Sequence, residues 1–348
     1  MKNKSSSSIL SVIIIGLLIL VGGYIGYNYY YINCDVDRNI TKPIVVDIPI
    51  VSDTNISTKE NEVEVVDMEK PKAFEYTPIT PNSGKTKAVI ELGSDGFNYF
   101  VVKLDKDKNW DIVKSKWGLS LLYEGSVDPK RVLDRVTQSI SDIQSKYKVT
   151  DIHFLISSGA LNLPATQEIV QTIESRYMIE KITPEKEGKL AFYATIPKEF
   201  RESSFVLDIG SNNTKIAWMN SAGKVVTRTT YGAKYYKHNF TNKEVYNDVK
   251  SKAEDIPKNR RKHCFIIGGA PYKLAKKTRV DKKERYTVLY FPEDYFENSE
   301  IYGLKLEGKK VDSGLNIYSA VYDATETKQF IFDWKANFTI GYLLRRKF

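Results

Sequence analysis

The chain has 348 residues, of which 42% are hydrophobic, so it is long enough to form one large domain or two lobes around a packed core. Its formal charge of +9 favours an anionic partner but does not identify one. The two cysteines are too few for a disulfide framework, and their spacing is not that of a metal–thiolate site.

The first predicted element is a transmembrane helix over residues 9–32, which contain no charged residue. About 20 apolar residues are enough to cross the hydrocarbon core. A cleaved signal peptide is the alternative, but the apolar stretch is long, no small-residue cleavage site follows it, and its tyrosines resemble an interfacial belt. Residues 1–8 are then a short tail. The flanking lysines and arginine slightly favour a body outside the cytoplasm.

Residues 33–85 are predicted to be a flexible linker. They contain five prolines and many acidic residues, and their valines show no helical periodicity. Such a composition buries too little apolar surface to fold alone. The folded body is therefore expected to begin near Lys85.

From residue 86, predicted strands and helices alternate as in an α/β domain. The elements in chain order are a hairpin over KAVIELGSDGFNYFVVKLD, an amphipathic helix over DPKRVLDRVTQSISDIQSKY, a buried strand and small-residue loop over DIHFLISSGAL, a helix over about 165–176, and a helical EKEGKLAFYATIP. We interpret residues 86–203 as a first α/β lobe.

The second half of the chain opens with the same layout as the first. SFVLDIGSNNTKIAWMN again has an apolar strand, an acidic residue, a glycine, a small polar turn and a returning strand, and CFIIGGAP later ends another buried strand in glycines. Glycine leaves backbone N–H groups accessible, so two such turns that face each other can hold a phosphate chain. The repeat predicts a second lobe over residues 204–348.

Four stretches between residues 88 and 219 resemble, in order and spacing, the exopolyphosphatase and guanosine pentaphosphate phosphatase (Ppx/GppA) family of the actin, hexokinase and Hsp70 superfamily. They are IELGSDGFNYFVV, LISSGALN, ITPEKEGKLAFYA and VLDIGSNNTKIAW. The resemblance implies a two-lobed, actin-like (ribonuclease H-like) ATPase fold that holds a polyphosphate or nucleotide ligand between its lobes.

The resemblance also implies roles for individual residues. Glu187 matches the general base, and Asp208 and Glu91 would hold Mg²⁺. Phosphate contacts are implied for Gly93, Ser94, Asp95, Ser158, Gly210, Ser211, Asn212, Asn213, Thr214, Gly268 and Gly269. A solvated or capping role is the alternative for Glu187, as is a turn-capping role for the two metal candidates.

The phosphate loops depart from the family pattern. Asn98 and Asn162 stand where the family has arginines, and residues 208–215 read Asp-Ile-Gly-Ser-Asn-Asn-Thr-Lys where the family has Asp-x-Gly-Gly-Gly-Ser-Thr-Glu. Each lost arginine–phosphate contact removes roughly 1.5–3 kcal/mol. The predicted function is therefore a membrane-anchored pseudoenzyme, sensor or interaction module with weak or lost phosphohydrolase activity. The alternative is an active, Mg²⁺-dependent exopolyphosphatase or nucleotide phosphohydrolase that uses Glu187.

A basic segment lies outside these motifs. Residues 224–285 contain 18 lysines and arginines against six acidic residues. Such charge runs mostly belong to solvated helix faces. The functional alternative is a surface for polyphosphate, anionic lipid or nucleic acid, reaching from Lys224 to Arg285. The sequence identifies no protein partner.

Overall fold

The structure is a computed structural model, and it describes residues 70–94, 96–118, 129–161, 164–297 and 309–346. The predicted tail, the predicted transmembrane helix and the predicted linker up to residue 69 lie outside the described residues. Within the described ranges, no helix has both the length and the hydrophobicity that crossing a membrane requires.

The first lobe is built on a five-stranded sheet with the spatial order β3-β2-β1-β4-β5. Its strands are β1 (Lys85–Leu92), β2 (Phe97–Leu104), β3 (Trp110–Lys116), β4 (Ile152–Ile156) and β5 (Ile179–Lys181). Its helices are α1 (Pro129–Tyr147), α2 (Ser158–Leu161), α3 (Pro164–Glu174) and α4 (Pro184–Thr195). The helix α1 buries Val132, Val136 and Ile143, which recur at helical spacing, against this sheet.

The second lobe is built on a six-stranded sheet with the order β10-β11-β9-β6-β7-β8. Its strands are β6 (Ser204–Ile209), β7 (Asn213–Met219), β8 (Val225–Tyr231), β9 (His263–Gly268), β10 (Tyr286–Val288) and β11 (Phe330–Asp333). Its helices are α5 (Asn242–Glu254), α6 (Gly269–Thr278), α7 (Pro292–Glu297), α8 (Lys309–Thr325) and α9 (Phe338–Arg345). In both lobes a three-stranded antiparallel meander is followed by parallel strands.

The helices α4 and α9 connect the lobes. They pack against each other, α4 also packs on β6, β7 and β8, and α9 also packs on β1 and β2. Their contact is close, because a Cβ atom at Gly341 would lie 2.0 Å from the backbone oxygen of Leu190. The last helix of each lobe thus covers the sheet of the other, and one hydrophobic core joins Val89 and Phe100 to Phe265 and the two helices.

The described end of the predicted linker, residues 70–84, packs on the body, and we call this segment the strap. The ring of Phe74 lies 5.1 Å from that of Phe200 and 5.3 Å from that of Tyr286, between ring centroids. The backbone N–H of Asn82 reaches Asp105 in the first lobe at 3.4 Å. Because aromatic side chains anchor this proline-containing segment, the predicted boundary at residue 85 lies too far along the chain, and the body includes the strap.

Candidate functional site

The turns of the two hairpins lie at the carboxyl ends of the parallel strands and meet there. In each turn a glycine N–H donates to a backbone oxygen three residues later, from Gly93 to Gly96 at 2.7 Å and from Gly210 to Asn213 at 3.1 Å. A Cβ atom at Gly159 would lie 3.4 Å from the Cβ of Asn212 and 3.5 Å from the Oγ of Ser94. The predicted phosphate loops and the start of α2 are therefore neighbours.

Glu187 lies in the first turn of α4. That helix begins at Pro184 because Thr183 caps it, accepting a hydrogen bond from the N–H of Lys186 at 3.3 Å. The carboxylate is only 4% exposed. Its Oε2 accepts hydrogen bonds from the N–H of Ser158, at 2.9 Å, and from the hydroxyl of Ser158, while its Oε1 accepts one from Lys215. Both carboxylate oxygens are thus engaged.

Lys215 is a buried cation in the middle of this site, and it is 2% exposed. It lies on β7 directly opposite Asp208 on β6, and its Nζ is 3.9 Å from the Oδ2 of Asp208. Burial alone would lower the pKa of Lys215, but the carboxylates of Glu187 and Asp208 raise it above its usual value. Lys215 was not among the predicted site residues, although its loop ends in Lys where the family pattern ends in Glu.

The two other carboxylates are buried as well. Burial raises the pKa of Glu91 to about 7. The amides of Asn98 and Asn337 each donate a hydrogen bond to its carboxylate at 3.2 Å, and these bonds oppose the rise. Burial also raises the pKa of Asp208 to about 6, and Lys215 opposes this shift. We call Glu91, Glu187, Asp208 and Lys215 the carboxylate cluster. Burial therefore makes both Glu91 and Asp208 harder to ionise than an exposed carboxyl group.

Side chains of the second loop bind across to the first lobe. The amide of Asn212 donates to the backbone oxygen of Gly159 at 3.0 Å, and the amide of Asn213 donates to the hydroxyl of Ser158 at 3.0 Å. These are the positions at which the sequence predicts phosphate contacts. The side chains that would surround a phosphate thus bind protein groups instead.

Residues 232–234 cover the other side of the second loop. The N–H of Ala233 donates to the backbone oxygen of Gly210 at 2.9 Å, and that of Lys234 donates to the oxygen of Ser211 at 2.8 Å. A Cβ atom at Gly232 would lie 2.4 Å from the oxygen of Ser211. The glycine therefore permits a close approach of two backbone segments, and this approach holds the loop in place.

Of the remaining predicted phosphate ligands, the structure describes Gly268, Gly269 and Thr214. Gly268 pairs with Ile209 in the parallel ladder, and Gly269 begins α6, so both lie at the same sheet edge. Thr214 alternates with its neighbours on β7, so its side chain is on the opposite face of the sheet from Lys215. Its hydroxyl is buried and has no hydrogen-bond partner among the described residues. Asp95 lies outside the described residues, as does Asn162.

Comparison with known proteins places this architecture. No protein-family model and no curated protein matches the chain. A crystal structure of the Aquifex aeolicus Ppx/GppA family member aligns with a TM-score of 0.58 at 18% sequence identity, covering 74% of this chain and 96% of that one. The Cytophaga hutchinsonii exopolyphosphatase aligns with a TM-score of 0.59 at 14% identity, covering 74% and 96%. The chain has the Ppx/GppA fold. The predicted two-lobed, actin-like α/β architecture is thereby confirmed.

The Ppx/GppA fold brings with it the expectation of Mg²⁺, but the residues of this site do not fit the ion. The ammonium of Lys215 is bonded to Glu187, the predicted general base, and lies 3.9 Å from Asp208, one of the two predicted Mg²⁺ ligands. Mg²⁺ requires an octahedral set of oxygen ligands. Within the described ranges, no group of three or more acidic, histidine or cysteine side chains is arranged to hold a metal. A resident cation of another kind, the lysine, already compensates part of the negative charge of the cluster.

The basic residues between Lys224 and Arg285 of this Ppx/GppA-fold body fall into two sets, according to whether they bind other protein groups or are exposed. Its arginines bind within the protein: Arg228 pairs with Asp255 at 2.6 Å, Arg285 pairs with Asp333 at 3.1 Å, and Arg260, Arg261 and Arg279 donate to backbone oxygens. Several of its lysines, among them Lys258, Lys262, Lys276, Lys282 and Lys283, are exposed. Part of the charge excess therefore has a structural role, and the anionic partner remains a prediction that rests on the lysines.

Proposed function

We propose that the chain is a pseudoenzyme with the Ppx/GppA fold, in which the two-lobed body acts as a protein-interaction module and does not hydrolyse phosphoanhydrides. The observation that carries the proposal is the bond from Lys215 to Glu187. The proposal includes a membrane anchor at residues 9–32 and an extracytoplasmic body, and both of these parts rest on the sequence alone.

The engagement of Glu187 argues against a role as general base. A general base must lie within hydrogen-bond reach of the proton that it takes. Here the Oε1 of Glu187 accepts from Lys215 and its Oε2 accepts two hydrogen bonds from Ser158. To take a proton from water, the carboxylate would first have to break an ion pair with a cation that is fully buried, which costs several kcal/mol.

The charge of the carboxylate cluster argues against a phosphate chain at the same position. Three carboxylates surround one ammonium, so the cluster is net negative whenever its acids are ionised. A phosphate placed there would be repelled, since the medium is protein rather than water and the repulsion is only weakly screened. The contacts of Asn212 and Asn213 with the first lobe meanwhile hold the two lobes together without any ligand. These features argue against a phosphate ligand between the lobes, and the proposal therefore takes a protein as the partner.

The test is a phosphate-release assay on the full-length chain with Mg²⁺ and, in turn, polyphosphate, pyrophosphate, ATP and GTP, alongside thermal-shift measurements with the same ligands. We expect no release above the protein-free blank and no stabilisation by any of them. A ligand at 100 times its dissociation constant would stabilise the fold by about 2.7 kcal/mol, so binding would be seen. Release that Glu187→Gln abolishes would establish the alternative, an active phosphohydrolase. Binding without release would identify a phosphate sensor.

A matched variant tests the reason for the loss of activity. Lys215→Glu removes the buried cation and restores the acidic residue of the family pattern, leaving a group of carboxylates with no positive charge. We expect millimolar Mg²⁺ to raise the unfolding midpoint of Lys215→Glu by several degrees and that of the natural chain by less than about one degree, because only the variant offers a free set of oxygen ligands. Equal midpoint shifts would contradict the assignment of Lys215 as the cation that replaces Mg²⁺.

A further inference from the structure

A second candidate site lies where the strap crosses the two lobes. It is a cavity of about 100 Å³. Tyr76, Pro78 and Ile79 of the strap form one wall, and both lobes form the others, through Trp110 of β3 and Tyr286 of β10. No residue of the carboxylate cluster lines it. The cavity therefore forms only where the strap crosses the junction of the lobes.

Positive charge predominates in the lining. Lys108, Lys198, Arg201 and Arg285 face the cavity, and Glu199 is the acidic residue among the lining side chains. Arg285 is compensated, since it pairs with Asp333 at 3.1 Å. Glu199 is partly engaged as well, because it accepts a hydrogen bond from the hydroxyl of Tyr76 at 3.3 Å. An excess of positive charge remains, to which Lys198 and Arg201 contribute.

The guanidinium group of Arg201, which lines the cavity, forms only long hydrogen bonds within the described residues. Its Nε donates to the backbone oxygen of Ile196 at 3.3 Å and its Nη2 donates to that of Tyr193 at 3.5 Å, both long bonds to neutral acceptors. Its face lies 5.0 Å from the ring centre of Tyr193. Burial lowers the pKa of Arg201. Within the part of the chain that the structure describes, no carboxylate pairs with it, whereas five N–H donors are available.

Lys198 approaches the same cavity from the short turn after α4. Its ammonium donates to the backbone oxygen of Asp107, which is again a neutral acceptor. In the described ranges this lysine forms no ion pair with a carboxylate. Two cations that donate hydrogen bonds to carbonyl oxygens thus line the same partly open cavity, where an anion would accept strong, charge-assisted hydrogen bonds from both.

We propose that this cavity binds a small oxyanion, a phosphate or carboxylate group, through Arg201 and Lys198, with Tyr76 of the strap closing the site. The volume suits such a group, since a water molecule occupies about 30 Å³ in the liquid and the cavity holds only a few of them. A guanidinium binds two oxygens of one anion at once, which favours a planar or tetrahedral oxyanion over a halide. Binding would fasten the strap to both lobes.

The experiment uses the full-length chain and two probes, inorganic phosphate and acetate, in separate calorimetric titrations. Hydrogen–deuterium exchange with and without the probe then reports on the strap. We expect at least one probe to bind and to slow exchange across residues 72–80. Arg201→Gln should weaken binding at least tenfold and remove the protection of the strap. Lys276→Gln, which removes an exposed lysine of α6, should bind as the natural chain does.

Three results would overturn the proposal: no heat of binding with either probe, equal affinity in Arg201→Gln, or protection confined to residues 208–215. The last would place the anion at the predicted phosphate loops, and it would bear on the proposed function and not on this cavity. If Arg201→Gln does not fold, as shown by circular dichroism, Lys198→Gln decides the matter. That side chain lies near the surface, and its loss should weaken binding severalfold if the cavity is the site.

Discussion

The two hairpins of the molecule place an acidic residue and its partner at the same register position, but the partners differ. Glu91 on β1 lies opposite Asn98 on β2, and Asp208 on β6 lies opposite Lys215 on β7. In the first lobe the partner is a neutral amide. In the second lobe it is a buried ammonium.

Each hairpin also binds the start of the helix that covers it. In the first lobe, Asn337, which caps α9, donates to Glu91 at 3.2 Å. In the second lobe, Lys215 donates to Glu187 in the first turn of α4. The same duplicated framework is thus completed once by neutral hydrogen bonds and once by an ion pair. Groups at the predicted site positions therefore contribute to fixing α4 and α9 between the lobes.

The largest expected effect comes from removing the cation of the second lobe. Lys215→Met keeps much of the side-chain volume but leaves Glu187 and Asp208 buried without a positive charge. Removing one partner of a buried ion pair lowers the free energy of unfolding by about 3–5 kcal/mol. We expect a loss of this size in the free energy of unfolding, measured by urea denaturation of the full-length chain.

The double variant Lys215→Met/Glu187→Gln is the control for that loss. It replaces both members of the pair by neutral groups, so of the two carboxylates next to Lys215 only Asp208 is left without a cation. Gln can still accept from Ser158. We expect it to recover at least half of the lost stability, because a buried ion pair and its neutral replacement differ little. If the two single losses simply add, the interaction between Lys215 and Glu187 contributes nothing.

The second prediction concerns the proton of the first lobe. The pKa of Glu91 is raised from its ordinary 4.5 to about 7, so the folded state binds this proton more tightly than the unfolded chain does. Its contribution to stability is complete below about pH 4 and is lost as the pH rises through about 7. Between about pH 5 and pH 8 we expect the unfolding free energy to fall by roughly 2 kcal/mol from this group.

Glu91→Gln tests this assignment. The variant keeps an oxygen that can accept from Asn98 and Asn337 but removes the ionisation. We expect it to be more stable than the natural chain at about pH 8, and to lose most of the decline between about pH 5 and pH 8. Glu185→Gln, at an exposed acidic residue of α4, serves as the matched control. An undiminished decline in Glu91→Gln would assign the pH dependence to another group, such as Asp208.

The contrast between the hairpins also shows how far the sequence can be interpreted. Glycine turns after apolar strands predict the duplicated hairpins. The meeting of the two loops, which belong to different sheets, follows from the family resemblance. The position of Glu187 beside these loops follows from the family pattern. Lys215 does not stand out, since a lysine in a strand is typical of an exposed face. Its burial depends on α4, which crosses from the other lobe.

The strap was missed for a related reason. Its composition of prolines and charged residues is typical of a linker, and only Phe74 and Tyr76 distinguish it. Two aromatic residues in such a segment indicate packing only when the surface that they pack against is known. That surface is formed by Phe200, Phe265 and Tyr286, which are distant in sequence. Contacts between remote segments are what a local pattern cannot reveal.

The smallest expected effect comes from placing a lysine in the first lobe at the register position that Lys215 has in the second. Asn98→Lys places an ammonium opposite Glu91, as Lys215 is placed opposite Asp208. A neighbouring cation lowers the pKa of a carboxyl, so the decline in stability between about pH 5 and pH 8 should flatten. The net change at neutral pH should stay within about 1 kcal/mol, because desolvation of the new lysine offsets its attraction to Glu91. Asn98→Met, without the charge, should keep or steepen the decline. The same pH dependence of stability in Asn98→Lys and Asn98→Met would show that a cation opposite Glu91 does not change the pKa of that carboxyl. The equivalent register position of Lys215, opposite Asp208, would then have no electrostatic importance, and Lys215 would act on Glu187 alone.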